Sequence, residues 1–446
     1  GAAATANAGG HPITISSASG GTFSAGNYNI TYNNGTLTVN PRAISVTAVD
    51  QSRIYGAANP TTGSVTLTSG TLVNGDSLSS ATVTAAATAT ATANAGTTHG
   101  LTPSVQTFIT GTASNYAVTY VDGTLNITAR PIDLTGNRTY DGTTTLDNGV
   151  FSLSNRANGE TLTLSGSGSM GDKHVGTGKG VILGSLALGN GTGLASNYTL
   201  IGGTHTASIT AAPITLTTSA VTKTYDGTTA ASGSLTVSSG TLFAGDTLSG
   251  GTFTFDTKDV GNGNKTVTVS GASLNDSNSG NNYTITYAAN TTSTINPAAL
   301  TVTANNDAKF VTEADANGYK GVSYTGFVNG ETSAVLGGTL AIARSDSTNN
   351  AAGTYTLTPS GVTANDGNYT ITHATGTYTI VPANQLLVRV GNVSNTYGTA
   401  TTYGLSSVEY LNGTSVIRLD NGSVTGSSAA INSANLVSIS DGAGGT

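Results

Sequence analysis

The dipeptide Asn-Tyr returns along the chain at nearly constant spacing, and that recurrence constrains the fold more than any single residue does. Its tyrosines are Tyr28, Tyr116, Tyr198, Tyr283 and Tyr369, at intervals of 88, 82, 85 and 86 residues. Each opens a stretch that alternates polar and apolar residues and closes on a proline, at Pro41, Pro131, Pro213, Pro297 and Pro382. An aromatic marker precedes the last four stretches, at Tyr55, Tyr140, Tyr225 and Phe310, and recurs at Tyr397, at intervals of 85, 85, 85 and 87. A third marker is an acid after glycine, at Asp76, Glu160, Asp246 and Glu331. Three markers with one period make the chain a tandem array.

Taking the closing proline as the boundary gives complete units at 42–131, 132–213, 214–297 and 298–382. Residues 1–41 read as the C-terminal part of an earlier repeat and 383–446 as the start of another, so the chain is expected to be a segment of a longer protein.

Alternation in "NYAVTYVDGTLNI" predicts strands, and Asp122-Gly123 supplies the positive φ that a tight hairpin turn demands. The same reading makes terminal β-hairpins of the segments around Asn34-Gly35 and Gly376. Opening strands follow the prolines in "AISVTAV", "IDLTG", "ITLTT" and "LTVTA". A further strand is expected in "VTLTSGTL", "FSLSNR", "SLTVSSGTL" and "VSYTGFV". In "GDSLSS" and "GDTLSG" the acid is placed to cap one short helical turn. The fold class is therefore all-β, with at most a short helix per unit. Modules of ~85 residues and five to seven strands are expected, as a β-sandwich or a β-grasp-like sheet. Short proline-bearing joints predict an elongated, semi-rigid rod, on the order of 150 Å for four to five modules.

Composition narrows the function classes. Charged residues make up 8% of the chain and the formal net charge is -7, without the clustered Lys and Arg that nucleic acid or an anionic membrane would need. No apolar run approaches the ~20 residues that span a bilayer. The chain has no cysteine, which excludes disulfides and thiolate chemistry and suits a protein exported through an oxidising compartment.

Hydrolysis needs a nucleophile with its base, or paired carboxylates, at one place. Asp76, Glu160, Asp246 and Glu331 stand instead one per module, as isolated turn acids that serve the backbone do. The histidines His11, His99, His174, His205 and His373 fall at different repeat positions and form no zinc pattern. No catalytic residue and no cofactor is expected. Calcium is the one ion to weigh, at the oxygen-rich loops around Asp276 and Asp366. Neither loop has the spacing of converging carboxylates that a hard cation requires, so polar turns are expected there. Tyr28, Tyr116, Tyr198, Tyr283 and Tyr369 are candidate carbohydrate contacts, because tyrosine faces stack on sugars. The competing reading is a tyrosine packed over the module core with Asn turning the chain. Asn197, Asn282 and Asn368 also head Asn-Tyr-Thr triplets that match a glycosylation acceptor.

The Tyr-Asp-Gly triplets at Tyr140 and Tyr225 resemble the YDG repeats of filamentous-haemagglutinin-like adhesins. The units with "IYGAANP", "VNGDS" and "NYAVTYVDGTLNI" resemble the MBG repeats that accompany them. Units 132–213 and 214–297 are closest to YDG, and units 42–131 and 298–382 to MBG. The resemblance implies a large secreted or surface-attached Gram-negative protein, many of which leave the cell by two-partner secretion through an outer-membrane transporter. It implies attachment between cells or to a biofilm matrix, with extracellular polysaccharide or a neighbouring cell surface as partner. Two readings follow: the repeats are a stalk that projects binding parts, or they are themselves multivalent lectin-like modules.

Overall fold

A computed structural model describes residues 3–390, 396–397 and 405–418. Tyr397 is described and fully exposed, whereas Gly398 and most of the final partial repeat lie outside the described residues. Among the described residues the secondary structure is strand, with helical geometry confined to three-residue 3-10 turns. The described chain divides into two compact units. One holds residues up to Ala212 with Phe243–Gly245 and Asp276–Thr284; the other holds Pro213–Leu242, Asp246–Asn275 and everything from Ile285 onward.

The first unit begins with an antiparallel pair, β1 (Gly9–Ile13) and β2 (Gly35–Val39). Seven strands follow: β3 (Arg42–Ala48), β4 (Gln51–Ile54), β5 (Thr62–Ser69), β6 (Ser77–Ala85), β7 (Thr98–Thr110), β8 (Tyr116–Val121) and β9 (Gly123–Thr128). Their hydrogen-bonded order is β4-β9-β7-β6-β5-β3-β8. Alternation decides what is inside, since successive side chains of a strand face opposite ways. Ile44, Val46 and Ala48 of β3 are buried while their neighbours are not, and Leu125 and Ile127 of β9 repeat the pattern. They feed two clusters, one with Val83, Leu101 and Leu125, the other with Ile44, Val46 and Tyr116.

The expected terminal hairpin does not form. β8 pairs in parallel with β3, and β9 in parallel with β4 and antiparallel with β7. The chain thus leaves β8 at one edge of the sheet at Val121 and enters between β4 and β7 at Gly123, so the two strands are not paired with each other. Gly123 does not have positive φ. Glycine is required there because a Cβ would sit 2.2 Å from the Ala48 carbonyl oxygen, where the opening and closing strands cross. Gly376 repeats this against the Ala304 oxygen at 2.3 Å. Around Asn34-Gly35 there is likewise no hairpin: residues 28–34 are not in strands, and β2 takes β1 as its partner.

The next module opens on Asp133–Thr139, again parallel to its closing strand His205–Thr210, within a six-stranded sheet. In the second unit, Thr247–Phe255 and Gly261–Asn275 form a long antiparallel pair, and Thr222–Thr224 runs parallel to Asn290–Asn296. The module from 298 splits into a three-stranded sheet centred on Ala298–Ala304 and a four-stranded sheet holding Asp307–Phe310 and Gly376–Val381. Its only helical geometry among the described residues is the 3-10 turn Ser333–Val335.

Candidate functional site

Three of the sequence markers converge, but from two modules rather than one. In the first unit the Tyr55 hydroxyl donates to Glu160 Oε1 at 2.7 Å, and the Tyr198 hydroxyl to Oε2 at 2.6 Å. Tyr55 belongs to the module before the joint, Glu160 and Tyr198 to the module after it. The rings meet edge to face at 5.4 Å. Tyr198 is fixed from its own module too, since its hydroxyl accepts from the Ala157 amide at 3.2 Å.

Local sequence explains the placement. Asn158 and Gly159 both have positive φ, and their turn presents Glu160. This corrects the expected helical cap: Asp76, Glu160 and Asp246 follow tight turns, with strands rather than helix after Asp76 and Asp246. Gly56, after Tyr55, has φ +75, and a Cβ on it would lie 2.4 Å from Ala157 Cβ of the next module. The Tyr-Gly pair therefore needs its glycine for backbone conformation and for close approach.

The second unit repeats the arrangement. The Tyr225 and Tyr369 hydroxyls donate to Glu331 Oε1 and Oε2 at 2.7 and 2.6 Å, with rings 5.5 Å apart edge to face. The Val328 amide donates to the Tyr369 oxygen at 3.2 Å. Gly227 has φ +75 and leaves no room for a Cβ against Asn329. A cation is added: Lys258 Nζ donates to Glu331 Oε1 at 2.8 Å and lies over the Tyr225 ring.

The electrostatics follow from this geometry. Burial alone would push the Glu160 carboxyl up, but the hydroxyls of Tyr198 and Tyr55 outweigh it and hold it below the ordinary carboxylate range. At Glu331 burial is likewise outweighed, by Lys258 and then by Tyr369 and Tyr225. Burial, with the carboxylate bond second, pushes Tyr198 and Tyr369 each up to about 12.

In four of the five Asn-Tyr pairs the asparagine reaches back to the preceding repeat instead of turning its own chain. Oδ1 of Asn115, Asn197, Asn282 and Asn368 accepts the backbone N–H of Ala8, Ala95, Val175 and Val260 at 2.7 to 2.9 Å. Their Nδ2 atoms contact the side chains of Asn7, Asn94, His174 and Asp259 at 3.0 to 3.2 Å. Short 3-10 turns at Ala113–Asn115 and Ala195–Asn197 set this direction.

These clamp partners escape a search for identical letters, because the residue type changes from repeat to repeat. The signal was Asn7-Ala8-Gly9, Asn94-Ala95-Gly96, His174-Val175-Gly176 and Asp259-Val260-Gly261. A second missed series is basic: Arg53, Arg138, Lys223 and Lys309, at intervals of 85, 85 and 86. Arg138 and Lys223 pair with Asp141 and Asp226, the aspartates of Tyr-Asp-Gly. Arg53, with no such aspartate, reaches Asn59 Oδ1 and the Thr90 carbonyl at 2.7 and 2.6 Å. Lys309 and Arg344 hold Asp315 at 2.6 and 2.9 Å, and the two cations outweigh burial to bring that carboxyl down to about 2.

The fourth aromatic marker is displaced by one residue. The Val311 amide donates to the Val381 carbonyl as the Tyr55 amide does to Thr128, so Val311 holds the place of Tyr55. Phe310 points into a core with Val381, Leu387 and Leu411.

Tyr116, Tyr198, Tyr283 and Tyr369 are 5 to 6% exposed, which leaves no ring face for a sugar. Tyr28 alone of the five is open, at 65%, and stacks on Phe23. Asp276 accepts backbone N–H groups from Asn278, Gly280 and Asn282 at 2.7 to 2.9 Å, so its carboxylate shapes the loop that carries Asn282. Asp366 is exposed. His99 lies between Thr88 and Thr97, and His205 and His11 meet the Leu200 and Asn7 carbonyls. Among the described residues no three His, Cys, Asp or Glu side chains converge as metal ligands would.

The YDG domain model matches residues 121–208 and 210–294, and the MBG domain model (YGX type) matches residues 44–126 and 300–379. No curated protein matches the chain in sequence. Among solved structures, the Bacillus anthracis TIE protein is similar at 6% identity, over 85% of this chain and 66% of that one, with a TM-score of 0.19. The basic residue and aspartate clasped around Tyr140 and Tyr225, against the Arg53 and Asn59 clasp beside Tyr55, give the two domain types a physical distinction, and the chain belongs to the MBG and YDG domain families, with two YDG domains between two MBG domains.

Proposed function

We propose that this chain is the spacing region of an extracellular adhesin, a non-catalytic stalk that carries binding parts of the full protein to another cell or to a biofilm matrix. What supports the reading is where the recurring residues are used. The tyrosines, carboxylates and asparagines that a lectin would use for sugar are consumed in holding one module to the next. In this reading the partner is an extracellular polysaccharide or a cell surface, contacted through other parts of the protein, and export runs through an outer-membrane transporter. No cofactor takes part. The lectin alternative rests on Tyr28 and Phe23, the one open aromatic pair among the candidates.

The test is binding of the whole chain to extracellular polysaccharides on a glycan surface. The stalk reading expects no saturable binding and no glycan turnover. Saturable binding that is lost in Tyr28→Ala would establish the lectin reading in its place.

A further inference from the structure

One member of the basic series Arg53, Arg138, Lys223 and Lys309 stands apart from the others. Lys309, on the strand Asp307–Phe310, is 4% exposed, and its Nζ meets two side chains at once. Asp315 Oδ1 and Asn350 Oδ1 are each 2.6 Å away. Asn350 lies in the connection between the strands Leu336–Arg344 and Gly353–Ala364, 41 residues further along the chain. Lys223 also meets an aspartate, Asp226, but its other bonds include the backbone carbonyls of Thr228 and Ala230. Arg53 reaches the side chain of Asn59, but a guanidinium stays protonated and is no nucleophile. At Lys309 an amine, a carboxamide and a carboxylate come together.

Arg344 completes the group. Its buried guanidinium donates from Nε to Asp315 Oδ2 at 2.9 Å and from Nη2 to Asn350 Oδ1 at 3.3 Å. It is held between aromatic rings, with the Tyr355 and Tyr378 centroids 4.8 and 5.6 Å away. Both rings belong to the core of this module, packed with Leu357 and Ile380. A cation therefore points at the oxygen of the carboxamide that Lys309 faces, in a site backed by apolar side chains. Asn350 itself stands at the exposed rim, which leaves a way out to water.

We propose that Lys309 and Asn350 join through an intramolecular amide, a covalent cross-link that the folded module makes in itself. A proton passes from the Lys309 ammonium to Asp315 Oδ1 along their hydrogen bond, and the freed lone pair of Nζ attacks Asn350 Cγ. The carbonyl electrons move onto Oδ1, where the Arg344 guanidinium stabilises the negative charge. The carbonyl then re-forms as the Cγ–Nδ2 bond breaks. Two of the three Nζ protons travel through Asp315 to Nδ2, which leaves as ammonium, and the third stays on the new amide. Nothing is oxidised or reduced, and Asp315 ends as it began. Lys309 and Arg344 hold the Asp315 carboxyl down to about 2, so the proton rests on Lys309 and its transfer is uphill. Fixed proximity offsets that cost, and the reaction quickens as pH rises. It is one self-modification rather than turnover, and it does not depend on the spacing role. The link removes freedom from the unfolded chain and lets tension along the module bypass residues 310–349.

The test is the intact mass of the whole chain under denaturing conditions, followed by tryptic mapping. A mass one ammonia below that of the sequence is expected, with the peptide Thr266–Lys320, uncut at Lys309, joined to Ser345–Arg389. Lys309→Arg and Asn350→Ala should each keep the full mass of their sequences and give no joined peptide. Asp315→Asn should slow the joining about a hundredfold or more, since it removes the group that carries the protons. Full mass that persists in the unaltered chain through prolonged incubation in mildly alkaline buffer would overturn the inference. Loss of ammonia without the joined peptide would overturn it too, because an asparagine that closes onto its own backbone gives that result. Joining at the unaltered rate in Asp315→Asn would overturn the proton path. The mass of the unaltered chain needs no substitution, so misfolding of a variant cannot mimic the outcome.

Discussion

The Glu160 joint follows an MBG domain and the Glu331 joint follows a YDG domain. Both place a carboxylate between two tyrosine hydroxyls at 2.6 and 2.7 Å, with rings edge to face and a positive-φ glycine against the next module. Only the YDG joint adds a lysine. Lys258 approaches Glu331, and Lys173, at the equivalent position of the other YDG domain, lies over the Tyr140 ring. The MBG module has Ala93 there. Two hydroxyls are thus enough to keep a partly buried carboxylate charged, and the lysine is an addition made at the water-facing side.

Removing the acceptor should have the largest effect. Glu160→Ala leaves two phenols without their partner and should lower the local opening free energy by about 3 kcal/mol, read by hydrogen exchange at the Ala157 and Ala95 amides. Glu331→Ala should cost about as much, because its partners are the same two hydroxyls and Lys258, 44% exposed at its side chain, can turn to water. A markedly larger loss at Glu331 would mean that the lysine carries the joint.

Glycine substitution comes next and should not distinguish the two joints. Gly56→Ala and Gly227→Ala each force a Cβ into a neighbouring module at positive φ, with an expected loss of roughly 1–3 kcal/mol in thermal unfolding. The smallest effect is expected for Lys258→Met. An exposed ion pair is screened by salt, so the change should remove the salt dependence of the Glu331 joint while leaving that of Glu160 unaltered.

Proton linkage acts on both sides of neutrality. Glu160 and Glu331 have folded pKa values below their ordinary 4.5, so their contribution is present above that value and is lost as pH falls through the lowered one. Tyr198 and Tyr369 are raised from 10.0 to about 12, so the neutral phenols contribute fully below pH 10 and the contribution fades as pH rises through about 12. The opening free energy at the Ala157 and Val328 amides, taken from exchange corrected for its intrinsic pH dependence, should therefore show a plateau with losses at both ends. Exchange unchanged across the alkaline limb would contradict the role given to the phenols.

Much of this was legible in the sequence, and the remainder was hidden for physical reasons. Period and strand content follow from alternation and from the repeated Asn-Tyr. Pairing did not, because β8 and β9 look like a hairpin by local pattern while their partners, β3 and β4, lie some 70 residues earlier. Asp122-Gly123 misled because glycine serves close approach as well as positive φ, and only the Ala48 carbonyl distinguishes them. The three markers were correctly found to share a period. That they meet across a module boundary is a statement about tertiary contact, which a repeat count does not contain. Phe310 carries the aromatic letter of the marker, but the place of Tyr55 in the strand pairing falls one residue later, on Val311.

The central claim is that Tyr55 and Glu160 act together across the boundary between two modules. A double-mutant cycle of Tyr55→Phe and Glu160→Gln, read as the opening free energy at the Ala157 amide, tests it most directly. The account predicts a coupling energy of about 1.5–3 kcal/mol, the range for a hydrogen bond to a charged group. Additive effects, with coupling within about 0.3 kcal/mol of zero, would show that the two residues stabilise their own modules separately and that the joint is not what the repeat encodes.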